Sequence, residues 1–425
     1  MNNNGTFYGW RLLAVFWCVY CINVGFVFYG ANVINTLMVQ DLAMSRKTLG
    51  AGFALFHLIQ SGLSAPFIAY LINRRGIRCT LALGSILAAI GAVLMTTIVT
   101  TPILFLAVFG ILIGFGIGFG GVLGVQTGVT IWFVRKRALA MSLALTAAGI
   151  GGFIAAPALN LIMTEAGGNW KTGWLCLAAL CTAAFLLSLC FVKNRPSDLG
   201  QVPYGADEAT EYSEEGSPHT SVGVYHTTRQ WTARDALRTG TLWLVFAGIL
   251  GFLVPYLFCV SHGVIHLIDQ GFPPITAALS LGLITLFSII GRLAGGLLGD
   301  RIEPRYLWAG ALLLECAGIF LCMHAEQALS LYLYSVFVGI GFGCAFILMP
   351  TIIGNYFGPN AFASIMGVIS PLFTLFSSAS PFAGGLIYDG TGSYDIAFIG
   401  SCLFCVAGFA AILAAGPRHE RSHVC

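Results

Sequence analysis

Residues 275–305 read ITAALSLGLITLFSIIGRLAGGLLGDRIEPR. From Ile275 to Gly299 the only charged side chain is Arg292. At about 1.5 Å per residue this stretch makes a helix longer than the ~30 Å of a bilayer's hydrocarbon. Placing an arginine midway along such a helix costs at least ~2.5 to 3.5 kcal/mol, so the residue is expected to face a protein cavity and meet a counter-charge or ligand there. The other nineteen Lys and Arg all fall outside stretches of this kind.

The rest of the chain has the same character. With 425 residues, 57% hydrophobic and 9% charged, and a mean hydropathy of +0.87, it reads as a polytopic membrane protein rather than a set of soluble domains. A net charge of +3, scattered over short connectors without interleaved aromatics, excludes a nucleic-acid partner. Most of the thirteen cysteines lie in apolar segments, including the pairs Cys18/Cys21 and Cys402/Cys405. There they read as small packing residues, so neither disulfides nor a metal site is expected. No nucleophile and base pair or cofactor loop emerges, and neither an enzyme nor a cofactor is expected. The apolar stretch from Leu12 to Met38 is too long for a cleaved signal peptide and reads as the first membrane helix.

Twelve spans follow, an all-α membrane architecture, with cores at 12–38, 49–71, 80–99, 103–131, 139–163, 174–191, 242–268, 275–299, 306–323, 329–353, 363–387 and 395–415. They group into a six-helix bundle over 1–192, a linker over 193–240, a second bundle over 241–415 and a tail over 416–425. With both termini cytoplasmic, sixteen Lys and Arg fall inside and three (Arg46, Lys47, Lys171) outside, an orientation set by the positive-inside rule. The linker, with Asp207, Glu208, Glu211, Glu214 and Glu215, is expected to be mobile and functionally quiet. A short amphipathic piece is expected near Trp231 to Leu237.

The halves repeat one another. Asn73-Arg74-Arg75-Gly76-Ile77-Arg78 after span 2 matches Asp300-Arg301-Ile302-Glu303-Pro304-Arg305 after span 8 at an offset of 227. Trp132-Phe133 after span 4 matches Tyr356-Phe357 after span 10 at 224, and the same offset carries Pro157 onto Pro381 and Gly168 onto Gly392. Two pseudo-equivalent bundles with a site at mid-membrane suit alternating access, one half rocking against the other.

These features resemble the major facilitator superfamily over nearly the whole chain. Its hallmark after spans 2 and 8 is Gly-x-x-x-Asp-Arg-x-Gly-x-Arg. The second copy keeps Gly296, Asp300, Arg301 and Arg305 with Glu303 for the second glycine. The first keeps Arg74, Gly76 and Arg78 with Ala69 and Asn73 for the leading glycine and the acid. The resemblance implies that these residues clamp a cytoplasmic gate, asymmetrically because the first acid is missing. Within the superfamily the chain is similar to the monocarboxylate transporter and oxalate:formate antiporter group, through Trp132-Phe133-Val134-Arg135-Lys136-Arg137-Ala138-Leu139-Ala140, Gly291-Arg292 and Phe357-Gly358-Pro359-Asn360-Ala361-Phe362-Ala363-Ser364. The resemblance makes Arg292 the substrate-binding arginine, whose planar fork can hold a carboxylate bidentately. The proton-coupled members carry a Lys in span 1 and an Asp one turn before the span 8 arginine; here span 1 has no Lys and the turn offers Ser288. Nor does span 11 contain a basic residue. One positive site favours a monocarboxylate, since a second buried anionic charge costs several kcal/mol (~1–4) unless it is matched.

The lining expected in this fold comes from spans 1, 4, 7, 8, 10 and 11: Phe28 and Tyr29, Tyr256 and Cys259 after the Pro255 break, Phe342 and Phe346 one turn apart, and Phe373 and Phe376 likewise. Ordinary packing is the competing reading for each. An arginine ringed by aromatics suits lactate, pyruvate or a larger organic acid. The glycines of span 4 are read as helix-packing residues, not a nucleotide loop. His57, His262, His266 and Glu315 are the titratable groups in or near the membrane, with His57, His262 and Glu315 as candidates for a coupling proton. The expectation is therefore a monomeric secondary transporter in the cytoplasmic membrane, taking a small monocarboxylate with H+, with organic-anion exchange, or a non-transporting sensor on the same fold, as the alternatives.

Overall fold

The computed structural model describes residues 7–42, 44, 46–206, 220–221 and 224–416. The acidic run from Asp207 to Glu215 and the tail after Gly416 lie outside the described residues. Ten helices among the described residues are long and apolar enough to cross a membrane. Two of these double back at a glycine. The helix Ala328–Thr391, 64 residues long, would measure roughly 96 Å if straight, three times the hydrocarbon thickness, so it must turn back. It does so at Gly358, at φ 75° and ψ 167°. Ala65–Thr97 turns in the same way at Gly76, φ 84° and ψ 176°. Its first limb continues Arg46–Leu58 and the π-helical turn Ile59–Leu63 into one rod, so that the two glycine turns separate spans 2 from 3 and 10 from 11. Only glycine is at ease in this region of backbone space.

By their internal contacts the residues form two compact units. One comprises Met1–Arg135, Leu143–Asp207 and Ala363–Thr374; the other comprises Lys136–Ser142, Glu208–Phe362 and Leu375–Cys425.

In the first unit, span 1 is α-helical over Gly9–Tyr20, π-helical over Cys21–Tyr29 and α-helical again over Gly30–Asp41. Span 4 is similarly interrupted, by a π-helical stretch Leu106–Ile113 and by a break at Gly120–Gly121, after which Val122–Trp132 resumes. A break inside a bilayer strands backbone groups that water cannot satisfy. Here Asn23, wholly buried in span 1, donates its Nδ2 to the Gly120 carbonyl at 3.0 Å and to Ser85 Oγ at 2.9 Å. Span 1 can come this close because Gly25 faces Gly151 of span 5: a Cβ on Gly25 would lie 2.7 Å from the Gly151 Cα.

In the second unit, Gly251 of span 7 meets Gly408 of span 12 in the same manner, a Cβ on either lying 2.8 Å from the other's Cα. Its core includes Phe258, Leu267, Ile284, Ile319, Tyr334 and Phe398.

The linker departs from the expectation of a quiet, mobile tether. Its first part is fixed to the first unit, where the Tyr204 carbonyl accepts the Val134 and Arg135 amides at 3.1 and 3.0 Å and the Tyr204 amide reaches the Trp132 carbonyl at 2.9 Å. Its last part, from Val224, is fixed to the second unit and leads into the short helix Ala233–Leu237, which Thr232 caps. Aromatic side chains dispersed in a polar sequence, Tyr204, Tyr225 and Trp231, make these attachments, and composition averaged over the segment hides them.

Substituting alanine for Gly358 forces a side chain into a glycine-only conformation and is expected to cost about 1–3 kcal/mol. Gly282→Ala, in a helix with open space beside it, should leave the melting temperature in detergent unchanged or raise it. Equal melting temperatures for the two variants would show that the turn at Gly358 is unstrained.

Candidate functional site

Arg292 is half-buried on span 8, and its guanidinium carbon lies 5.0 Å from the centroid of the Phe346 ring on span 10. That distance is within the range of a cation–π contact. The pair is placed by backbone proximity. A Cβ on Gly291 would lie 2.8 Å from the Ile340 Cα, one on Gly339 2.6 Å from the Ile284 carbonyl oxygen, and one on Gly343 2.9 Å from the Ser288 Cα. Three glycines thus let spans 8 and 10 touch main chain to main chain on the turns around Arg292. Ser288, which stands one turn before the arginine, turns its hydroxyl back onto its own helix, 2.7 Å from the Thr285 carbonyl.

From Phe346 a ladder of rings continues away from the arginine. Phe342 lies 5.7 Å from Phe346, and Tyr256 of span 7 is stacked on Phe342 with centroids 3.5 Å apart and planes within 9°. Phe252 closes on the same ring at 5.8 Å. Four of the expected lining residues, Arg292, Tyr256, Phe342 and Phe346, are therefore brought into one connected group. Cys259 is not among them: it is buried in the unit's core with Tyr334 and Cys322, a cluster against which Tyr256 also packs. Phe376 is 55% exposed and makes an edge contact with Phe246 at 6.5 Å.

In the first unit, Phe28 meets Tyr29 edge-on at 5.0 Å, stacks on Phe56 at 5.7 Å and lies 6.4 Å from the His57 ring. Tyr29 rests against Gly152, where a Cβ would lie 2.5 Å from the ring. Both aromatics close the π-helical stretch of span 1, and π-helical turns are frequent at functional sites. Phe373, half-buried, belongs to the part of span 11 grouped with this unit.

Among the proton candidates, His262 bridges elements of the second unit, with Nε2 2.7 Å from the Pro381 carbonyl and Nδ1 3.2 Å from the Tyr394 hydroxyl. His266 reaches the Cys322 carbonyl at 3.1 Å. Glu315 is wholly buried, and among the described residues neither carboxylate oxygen has a hydrogen-bond partner. Gly341 of span 10 is packed on it, a Cβ there lying 2.9 Å from that of Glu315. The twelve described cysteines are free thiols, and no cluster of His, Cys, Asp or Glu among the described residues is placed to hold a metal.

The duplicated motif is used differently in its two copies. Asp300, after span 8, accepts the amides of Ala138 and Leu139 at 2.9 Å each and so caps the helix Arg137–Glu165, whose first N–H groups have no partner within the helix. Gly296 makes room for this: a Cβ there would lie 2.5 Å from that of Ser142. Burial raises the Asp300 carboxyl above its ordinary pKa, against the opposing pull of the two amides and Arg137. In the first copy Asn73 stands at the acid's place and donates Nδ2 to Ser364 Oγ at 2.7 Å, a neutral contact where Asp300 makes a charged one. Arg74 bonds the Tyr70 hydroxyl, and Gly76 turns the chain against Asn194, whose Oδ1 accepts the Arg78 amide at 3.0 Å. Arg301 contributes its amide to the turn after span 8, and Arg305 donates to the Tyr306 hydroxyl at 2.8 Å. Two participants were not singled out in advance, Asn23 and Asn355, which accepts a hydrogen bond from buried Arg137 at 2.6 Å, and Glu303 figured only as a departure from the motif. Each is a polar residue isolated among apolar neighbours or at a span end, and spacing alone gives it no partner.

A largely helical chain with an arginine in an apolar span, glycine-mediated helix contacts and a duplicated turn motif, capped by an acid in its second copy, has the build of a membrane transporter. The profile of the Major Facilitator Superfamily matches residues 15–379 and again 269–424, and the chain belongs to that family. It is similar to monocarboxylate transporter 12 of Rattus norvegicus, 25% identical over 436 residues covering 93% of this chain and 79% of the relative. Monocarboxylate transporter 2 of Homo sapiens is 24% identical over 411 residues, 93% of this chain and 82% of the relative. Among solved structures, the fucose:proton symporter FucP of E. coli superposes with a TM-score of 0.71 at 17% identity, covering 97% of this chain and 100% of that one. The family and these relatives are membrane transporters, and the chain is an integral membrane transporter, not an enzyme.

Asp300→Ala should lower stability by about 0.5–2 kcal/mol through loss of the cap, and Asp300→Asn by less. Asn73→Ala should cost less than Asp300→Ala. Thermal unfolding of the three purified variants measures the order, and Asn73→Ala as damaging as Asp300→Ala would contradict the asymmetry.

Proposed function

We propose that the protein carries a small monocarboxylate across the cytoplasmic membrane by alternating access, with both termini cytoplasmic and the monomer as the working unit. Arg292 binds the carboxylate and the rings of Tyr256, Phe342 and Phe346 accommodate the organic body. The observation that carries this reading is the guanidinium laid on Phe346 in a span without an acidic residue. One ring steadies one face of the guanidinium, whose planar fork matches the two oxygens of a carboxylate. A single cation suits a single carboxylate, and similarity to proteins named monocarboxylate transporters supports that class.

Proton symport is the proposed coupling, with His57, His262 and Glu315 as its candidates. Exchange of one organic anion for another is the second reading, favoured by a specific feature: the turn before Arg292 carries Ser288, with its hydroxyl bonded within the helix, in place of a titratable acid.

Uptake of labelled lactate, pyruvate and benzoate into proteoliposomes, at two imposed pH gradients, tests both points. Uptake driven by an inward proton gradient is expected for symport, and uptake dependent on internal anion with no response to the gradient for exchange. Arg292→Ala should weaken binding of the transported acid by about 10- to 100-fold, the loss of a charge-assisted hydrogen bond worth roughly 1.5–3 kcal/mol. Arg292→Lys should keep the charge yet lose most transport, and Phe346→Leu should weaken binding by about 3- to 30-fold. Binding of these acids by Arg292→Ala at parental affinity would remove Arg292 from the site.

A further inference from the structure

Where the family motif has its second glycine this chain has Glu303, and the structure gives that carboxylate two partners. Glu303 Oε2 accepts the backbone amide of Tyr225, in the linker, at 2.9 Å, and Oε1 accepts the hydroxyl of Tyr356, at the end of span 10, at 2.6 Å. Glu303 is 8% exposed. Around it the linker is fastened residue by residue. The Tyr225 ring meets the Tyr356 ring edge-on at 5.7 Å, the Thr227 amide donates to the Asn355 carbonyl at 2.8 Å, and Trp231 packs edge-on against Phe357 at 5.3 Å. Gln230 accepts from Asn360 Nδ2 at 2.9 Å. Between these anchors His226 Nδ1 is shut away from solvent without a hydrogen bond among the described residues. Burial, then the charge of Arg137, pushes the imidazole down to about 3, so the docked side chain is neutral.

The residues that receive the linker also hold the tip of span 5. Asn355 takes the linker's Thr227 amide on its carbonyl and the guanidinium of Arg137 on its side chain, and Asp300, three residues before Glu303, caps the amides of Ala138 and Leu139. We propose that linker residues 224–231 form a latch over the ends of spans 5, 8 and 10, with Glu303 as its catch, so that the linker is a working part of the gate at that end. Fastening the strand fixes Asn355 and the turn Asp300–Glu303 together, and both contacts to the span 5 tip depend on that pair. Undocking the strand frees them.

Amide hydrogen exchange on the full-length protein in nanodiscs reads the latch directly, and it requires no knowledge of the transported acid. In Glu303→Ala the Tyr225 amide loses its acceptor. The Thr227 amide, which Glu303 does not touch, should also exchange at least about tenfold faster because the strand leaves as a unit. The decisive positions are Ala138 and Leu139, whose amides bond Asp300 and not Glu303; they should exchange at least about threefold faster. Tyr225→Pro removes the donor from the linker side without altering the helices and should reproduce both effects. Glu303→Gln, which can still accept one of the two hydrogen bonds, should fall between parent and Glu303→Ala. Faster exchange at Thr227 with Ala138 and Leu139 unchanged would make the strand a passenger and overturn the proposal, as would a Thr227 amide that stays protected in both variants.

Discussion

Hydrocarbon supplies no hydrogen bonds, and that single constraint organises this molecule. Inside the membrane the backbone must satisfy itself, which is why the chain is helical almost throughout and why the break in span 4 is met by a buried amide side chain. The break at Gly120 has Asn23 on its carbonyl, and the exposed amides at the start of span 5 have Asp300. The same constraint explains the glycines. With lipid as apolar as leucine, helices gain from associating mainly when their backbones come close, as at Gly25–Gly151, Gly251–Gly408 and the seam between spans 8 and 10.

Hydropathy makes the helical scaffold and the embedded arginine legible in the sequence, and matched motifs make the repeat so, since each depends on a pattern over many residues or on one conspicuous exception. The aromatic partners of Arg292 were partly legible. Phe342 and Phe346 share a face by helical spacing, but Cys259 had the same sequence credentials as Tyr256 and turned to the bundle interior instead. Residues three apart lie on one side of a helix, and a span buried on several sides offers no polar face to tell which of them meets a ring and which the core. Least legible were pairings between distant segments. Glu303 appeared as a defect in a motif, and only the tertiary arrangement shows that its carboxylate has two donors.

The repeat also governs how the linker is attached. Trp132-Phe133 and Tyr356-Phe357 occupy corresponding places in the two halves, and each receives an end of the linker. Tyr204 lies on Phe133 at 6.0 Å, while Tyr225 and Trp231 lie on Tyr356 and Phe357. Phe7, just before span 1, joins the first cluster with Trp132 at 6.0 Å and Phe133 at 5.8 Å. A segment whose average composition argues for disorder thus has ordered ends, because a few large rings suffice to anchor a short strand.

The main-chain contact between spans 8 and 10 has an evolutionary consequence. Arg292 and Phe346 are positioned by Gly291, Gly339 and Gly343, residues without side chains to vary, whereas the neighbouring rings are held by one another. Exchange of Tyr256 or Phe342 for other side chains can remodel the surroundings of Arg292 while the cation keeps its address. Descendants of such a protein are free to vary those rings without disturbing the backbone seam that places the arginine.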